Sequence, residues 1–138
     1  MDSKTRPTFS VVVPIYNEEA IIDALHSRLC AVMDASGRPW TVFYVDDGSR
    51  DRSLEKLLEK RRERPEQVRI VELSRNWGHQ SALTAGLATA DGEAVILMDG
   101  DLQDPPEEIP KLTAAWTRGA EVVVAVRTSR AETGIRGL

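Results

Sequence analysis

Asp99 and Asp101 stand two residues apart, directly after the apolar run Ala94–Met98. Carboxylates crowded at the end of a buried strand repel one another and resist leaving water, so something must compensate them. Residues i and i+2 of an extended chain point to the same side, and Gly100 lets the backbone turn sharply between the two. Two hard oxygen ligands on one side suit Mg²⁺ or Mn²⁺, ions that share their shell with waters and substrate phosphates. Gln103 is next on that side and offers a further carbonyl oxygen. The same residues also make an ordinary solvated turn, with Asp104 capping the helix that follows. A second acidic pair, Asp46-Asp47, gives the first its weight. Adjacent residues point opposite ways, so one of this pair faces a cleft and the other accepts backbone N–H bonds around Gly48.

Other residues with chemical potential are fewer. Tyr16 is either a core side chain or a flat surface for a base. Asn17-Glu18-Glu19 reads equally as a helix start, with Asn as cap and acids favoured by the helix dipole. His79 precedes a helix, where it touches a phosphate or caps the helix. His26 lies inside a helix and reads as a packing or surface residue. No Cys/His pair has zinc-site spacing, and no serine sits in a G-x-S-x-G turn. Neither a P-loop nor G-x-G-x-x-G occurs. With the usual phosphate cradles missing, a cation is left as the phosphate's partner.

These residues need elements to position them. Phe9–Val13 is a β-branched strand stopped by Pro14. Glu18–Ala35 has helical spacing of apolar residues, ended by Ser36-Gly37-Arg38-Pro39. Trp40–Val45 is a second strand and Ser53–Arg62 a charged helix with Asp51 near its start. Val68–Leu73 is a third strand, Ser74–His79 a loop and Gln80–Ala90 a helix. Glu93–Met98 is a fourth strand. Pro106–Arg118 is helical, with Pro110 in a first turn or opening a second short helix. Glu121–Val126 is a fifth strand, and the tail 127–138 is polar and poorly patterned. Alternating strands and helices, with strands that are apolar on both faces, predict an α/β fold: a mostly parallel twisted sheet with helices on both sides. Such sheets bind ligands at the carboxyl ends of their strands, where all the acidic motifs fall.

The chain has 138 residues, enough for one domain with a core. Its net charge of −4, with no basic run interleaved with aromatics, speaks against nucleic acid as a partner. Cys30 is the single cysteine, which excludes an internal disulfide and fits a reducing compartment. The first residues, MDSKTRPT, lack the apolar core of a signal peptide. No apolar stretch approaches the roughly 20 residues that span a bilayer, so this chain is expected to be soluble.

Five segments, "VVVPIYNEE", "VDDGSRDRS", "NWGHQSALTAGL", "MDGDLQDPPE" and "VVVAVRTSR", occur in this order with typical gaps. Together they closely resemble the family-2 glycosyltransferases of the GT-A fold, over nearly all of residues 9 to 130. Within these, the chain is most similar to the branch with dolichol-phosphate mannosyltransferase and the bacterial polyprenyl-phosphate sugar transferases. The resemblance implies a Rossmann-like, nucleotide-sugar-binding domain and assigns roles by position. Pro14, Tyr16 and Glu18 match the motif that borders base and ribose. Asp47 matches the residue that reads the base edge, with Asp46 as its structural neighbour at the same subsite. Asp99 and Asp101 match the DxD metal motif, and Gln103 matches a further metal contact. Arg127 matches an arginine that approaches the donor's phosphates, with Arg130 as a companion. The segment Asn76–Gln80, including Gly78, matches a wall of the donor pocket.

The implied reaction is inverting transfer of a sugar from a UDP-glucose-like donor or GDP-mannose to a polyprenyl phosphate, dolichyl or undecaprenyl. Asp99, Asp101 and Arg127 would serve catalysis, with Mg²⁺ or Mn²⁺ as cofactor. Members usually continue well past the fifth strand, into acceptor-side residues and often membrane helices. The resemblance therefore casts residues 1–138 as a single donor-binding domain whose tail, 127–138, leads into an acceptor part. Alone it would bind nucleotide weakly and turn over poorly or not at all. The longer protein would work at the inner face of the cytoplasmic membrane, and a homo-oligomer is open. Three other classes compete, one of them a pure nucleotide-sugar-binding module. A sugar-nucleotide nucleotidyltransferase carries a Gly-rich basic loop after its first strand, where this chain has Pro14-Ile15-Tyr16-Asn17-Glu18. A non-enzymatic phosphoacceptor signalling domain carries its acidic pair after the first strand and a lysine after the last; here the pair follows the second, and Arg127 follows the last.

Overall fold

The computed structural model describes residues 6–127 and 133–137. Seven consecutive buried residues form the first strand, β1 (Phe9–Ile15), and another seven form β2 (Trp40–Asp46). They pair in parallel from Phe9↔Trp40 to Ile15↔Asp46. β3 (Val68–Glu72) adds to β2, and β4 (Ala94–Leu97) adds to β1, giving a four-stranded parallel sheet in the order β3-β2-β1-β4.

Alternation along β1 and β2 divides the core between the two faces of this sheet. Val11, Val13 and Ile15 pack with Leu25, Leu29 and Met33 of α1 (Ile22–Ala35), Leu57 of α2 (Ser53–Glu63) and Ile109 of α4 (Ile109–Thr117). Leu25, Leu29 and Leu57 are fully buried, each stabilising the fold by about 1.5–3 kcal/mol. On the other face Val12, Phe43 and Val45 pack against Ala82 of α3 (His79–Thr89). Helices thus cover both faces, as the sequence predicts.

Four details differ from the sequence reading. Pro14 does not stop β1. The Val12 carbonyl accepts the Met98 N–H, while the Ile15 carbonyl accepts the Asp47 N–H, so even-numbered residues point their backbone groups toward β4. The last pair with β4 is Val12↔Leu97, so the N–H that Pro14 lacks falls beyond the ladder and nothing is lost. Second, α1 begins at Ile22 rather than Glu18. The Glu18 and Glu19 N–H groups are taken by Ser53 Oγ (2.8 Å) and Asp51 Oδ2 (3.2 Å), which hold residues 18–19 to the turn before α2. Third, β3 and β4 are sheet edges, and Val95 and Leu97 are exposed, so two-sided burial holds for β1 and β2 alone among the parallel strands. Fourth, β5 (Val123–Arg127) does not extend the parallel sheet. It pairs antiparallel with β6 (Thr133–Gly137), a strand in the tail that the sequence pattern did not predict. Pro110 does lie in the first turn of α4, after a 3₁₀ turn at Pro106–Glu108.

Candidate functional site

The carboxyl ends of β1, β2 and β4 and the N-terminus of α3 enclose a cleft of about 330 Å³. Its walls are Pro14, Ile15, Tyr16, Glu18, Asp47, Asn76, Gly78, His79, Asp99, Gly100 and Asp101. A larger hollow of about 460 Å³ lies between α1 and α4, lined by residues such as Phe9, Met33 and Ile109. No carboxylate lines it, so the titratable chemistry belongs to the first cleft.

Residue parity builds the acidic wall. Tyr44 faces α1 and Val45 faces α3, so Asp46 continues toward α1 and α2 while Asp47 turns to the cleft. Asp46 is 2% exposed, and one of its carboxyl oxygens has no hydrogen-bond partner. Burial raises its pKa above the ordinary carboxylate range, against the hydroxyl and N–H of Ser49, which lower it. Asp46 is therefore not a wall of the cleft, contrary to its expected place in the nucleotide subsite. Asp47 is a wall, with both oxygens already engaged: Oδ1 accepts the Trp77 N–H at 2.8 Å and Oδ2 accepts the Gly78 N–H at 3.1 Å.

Two glycines permit this closeness. Gly48 has φ +71°, and a Cβ there would lie 2.4 Å from the backbone of Arg75 and Asn76. At Gly100 a Cβ would meet the Pro14 carbonyl oxygen and Ile15 Cδ1, both at 2.7 Å. Gly100 lies in the turn that the sequence predicts, and its missing side chain also gives room: it lets the Asp99–Asp101 segment lie against the end of β1. The left-handed residue is Leu102, at φ +66°. With Gly100 and Asp101 already in a turn, the same-side rule of an extended chain does not reach Gln103. Gln103 is exposed and does not line the cleft, and its backbone N–H donates to Asp101 Oδ1 at 3.0 Å.

The electrostatics match the crowding read from the sequence. Burial raises the Asp99 pKa, and the charges of Asp104 and Asp101 push it further, while the His79 imidazole opposes them. Glu18 is also raised, by burial first and then by Asp101 and Asp51. Asp99 and Glu18 thus carry unfavourable charge into the space they share with Asp101. Among the described residues no three His, Cys, Asp or Glu side chains stand close enough to cage an ion unaided. That donor set fits a magnesium-type ion, which takes two carboxylates and leaves positions for diphosphate and water.

At the mouth, Tyr16 is 41% exposed, which decides against a core tyrosine. Trp77 is exposed too, with the Arg75 guanidinium stacked 3.8 Å from its ring centroid. Sequence reasoning missed that stack, although the i, i+2 spacing of Arg75 and Trp77 was a signal for it. It also missed Asn17, whose Oδ1 accepts the Arg50 N–H at 2.8 Å and whose own N–H donates to Ser49 Oγ. Asn17 ties the first acidic loop to the second instead of capping α1. His79 is not a side-chain cap either: Gly78 occupies the cap position, and His79 Nε2 stands 3.4 Å from Asp99 Oδ1. The backbone of Arg127 ends β5; its side chain, and all of Arg130, lie outside the described residues.

Residues 10–136 match the family described as glycosyl transferase family 2. The chain belongs to that family. It is 48% identical over 122 residues to a protein of Bacillus subtilis named as an uncharacterized glycosyltransferase, YkcC, covering 88% of this chain and 38% of that protein. It is 44% identical over 129 residues to the undecaprenyl-phosphate 4-deoxy-4-formamido-L-arabinose transferase of Pectobacterium atrosepticum, covering 94% of this chain and 39% of the relative. The chain therefore spans less than half the length of these curated relatives. Among solved structures, the family member resembles the mannosyltransferase PcManGT of Pyrobaculum calidifontis, solved with GDP-Man and Mn²⁺. The TM-score is 0.73 at 24% identity, over 91% of this chain and 37% of the other. It also resembles S. aureus TarS in complex with UDP-GlcNAc, with a TM-score of 0.68 at 26% identity, over 88% of this chain and 34% of the other. The GT-A fold expected of a family-2 glycosyltransferase is thereby shown. No helix among the described residues is long and apolar enough to cross a membrane.

Proposed function

We propose that this chain is the donor-binding part of an inverting glycosyltransferase that moves a sugar from a nucleotide diphosphate sugar to a polyprenyl phosphate. The observation that carries the reading is the cleft itself. It brings the paired carboxylates Asp99 and Asp101 and an exposed Tyr16 to one space. Those two features suit the two ends of a nucleotide diphosphate. Tyr16 offers its ring to the base. Asp47, fixed by two backbone donors, keeps free lone pairs for an N–H of the base edge; uracil and guanine both present one. Pro14 and Glu18 border the ribose between them.

Asp99 and Asp101 would hold the Mg²⁺ or Mn²⁺, which when bound supplies positive charge against the leaving diphosphate. Arg127, the last residue of β5, is proposed for the donor's phosphates. The acceptor phosphate is already anionic, so its oxygen attacks the anomeric carbon without a strong general base, and the diphosphate leaves from the opposite face. The polyprenyl acceptor is favoured by the relatives, 38–44% identical, that are named undecaprenyl-phosphate sugar transferases. A cytoplasmic-face location in the longer protein follows from where such a donor is supplied.

Calorimetric titration with UDP and with GDP, each with and without Mn²⁺, tests the reading. One of the two is expected to bind in a Mn²⁺-dependent way, and Asp101→Asn is expected to abolish that dependence. Unchanged Mn²⁺-dependent binding in the Asn variant contradicts the ligand assignment.

A further inference from the structure

His79 has no role in the reading above, yet the fold takes trouble to place it. It is the first residue of α3, and the segment before it is anchored at two points. The Asp47 carboxylate holds the Trp77 and Gly78 N–H groups at 2.8 and 3.1 Å. One residue on from Asp47, Gly48 packs so closely on Arg75 and Asn76 that no side chain fits there. His79 therefore projects from a clamped segment rather than a loose loop, and its Nε2 stands 3.4 Å from Asp99 Oδ1. Asp99 is held from its other side through its backbone, where its N–H donates to Asp104 Oδ2 at 3.3 Å, and Gly100 is wedged on the Pro14 carbonyl. The backbone of Asp99 is thus fixed, and His79 Nε2 lies within ion-pair distance of its carboxylate.

We propose that His79 is a positioning residue: its Nε2–H orients the Asp99 carboxylate toward the cleft, so that Asp99 and Asp101 present oxygens to one divalent cation together. The inference rests on the metal reading of this cleft and names a residue that reading leaves idle. A hydrogen bond from an outer group fixes which carboxylate oxygen faces the ion, and losing such a partner lowers metal affinity by roughly 10–100-fold. His79 is not itself a third cage ligand, because no three such groups cluster among the described residues. It is more than half exposed, so replacing it leaves the core untouched.

The test uses this 138-residue chain and three proteins: wild type, His79→Ala and His79→Gln. Mn²⁺ alone is titrated into each and followed by electron paramagnetic resonance of the free ion, and each is unfolded in urea. His79→Ala is expected to weaken Mn²⁺ binding roughly 10–100-fold. His79→Gln, whose amide N–H reaches nearly the same point, restores most of it. Urea-unfolding midpoints are expected to be equal in all three, which a general folding defect would not leave intact. Equal Mn²⁺ affinity in wild type and His79→Ala overturns the role of His79 alone. A Gln variant as weak as the Ala variant overturns it as well. A wild-type chain that binds no Mn²⁺ removes the metal site and the positioning role together.

Discussion

Asp47 is 3% exposed and spends both oxygens on backbone donors before any ligand arrives. A carboxylate fixed in this way is pre-organised: a base edge meets an acceptor that need not be reoriented. Replacing it with Asn keeps one acceptor and turns an N–H₂ toward a backbone N–H. That change is expected to cost about 1–3 kcal/mol, the range for leaving a buried donor unsatisfied. Amide exchange at Trp77 and Gly78 checks it; exchange should accelerate in Asp47→Asn, and unchanged protection would contradict the clamp. Much of the site was legible at this scale, because adjacent carboxylates are constrained by strand parity. Asp47 reaches the cleft for that reason, and Asp99 and Asp101 reach it through the turn at Gly100. Gln103 and Asp46 do not, and each miss has a local cause. Leu102 continues the turn with a positive φ, which nothing about a leucine signals. Asp46 falls on the other side of its strand, and sequence alone could not say which of two neighbouring aspartates would turn inward.

At the scale of elements, α3 decides how closely the cleft's third wall approaches the sheet. Gly86 sits where a Cβ would fall 2.3 Å from Val12 Cγ1 and 3.1 Å from Val45 Cγ2. Two effects oppose each other in Gly86→Ala. Helix propensity gains about 1 kcal/mol, whereas overpacking a tight core contact costs typically about 1–3 kcal/mol. Val12 and Val45 are fully buried strand residues with little room to yield, so the cost is expected to win. Urea denaturation should show a net loss of stability; a variant more stable than wild type would mean that the helix floats on the sheet. The parallel strands and four helices were legible because each carries its own periodicity. The β5–β6 hairpin was not. Thr133–Gly137 has no apolar alternation, and its strand identity comes from pairing with Val123–Arg127, a non-local cause. Likewise the run Ala94–Met98 looked buried on both faces, but α3 leans on β1 and β2, leaving Val95 and Leu97 uncovered on the edge strand.

Across the whole molecule, polar groups far from the cleft set how stability responds to pH. His26 is buried between α1 and the sheet, with Nδ1 2.7 Å from the Tyr44 hydroxyl and Nε2 3.4 Å from Cys30 Sγ. Burial, helped by Lys60 and Arg64, lowers its pKa from 6.5 to about 4. Between these values the unfolded chain binds the proton and the folded one does not, so unfolding becomes easier as pH falls from 6.5 toward 4. His26→Gln is expected to flatten that slope in denaturant titrations across this window; an unaltered slope would assign the acid sensitivity elsewhere. Asp23, held near a pKa of about 2 by Lys60 and Lys56, joins α1 to α2 and does not titrate within that window. The acidic wall of the cleft works the other way. Burial first, and then neighbouring acids, raises the pKa values of Asp99 and Glu18, and the account explains that crowding as preparation for a cation. A crystal of this chain grown with Mn²⁺ and the nucleotide that binds tests this most directly. The account predicts an anomalous manganese peak within bonding distance of Asp99 and Asp101, bridged to the diphosphate. A nucleotide bound in the cleft without such a peak, or with these carboxylates turned to solvent, would contradict it.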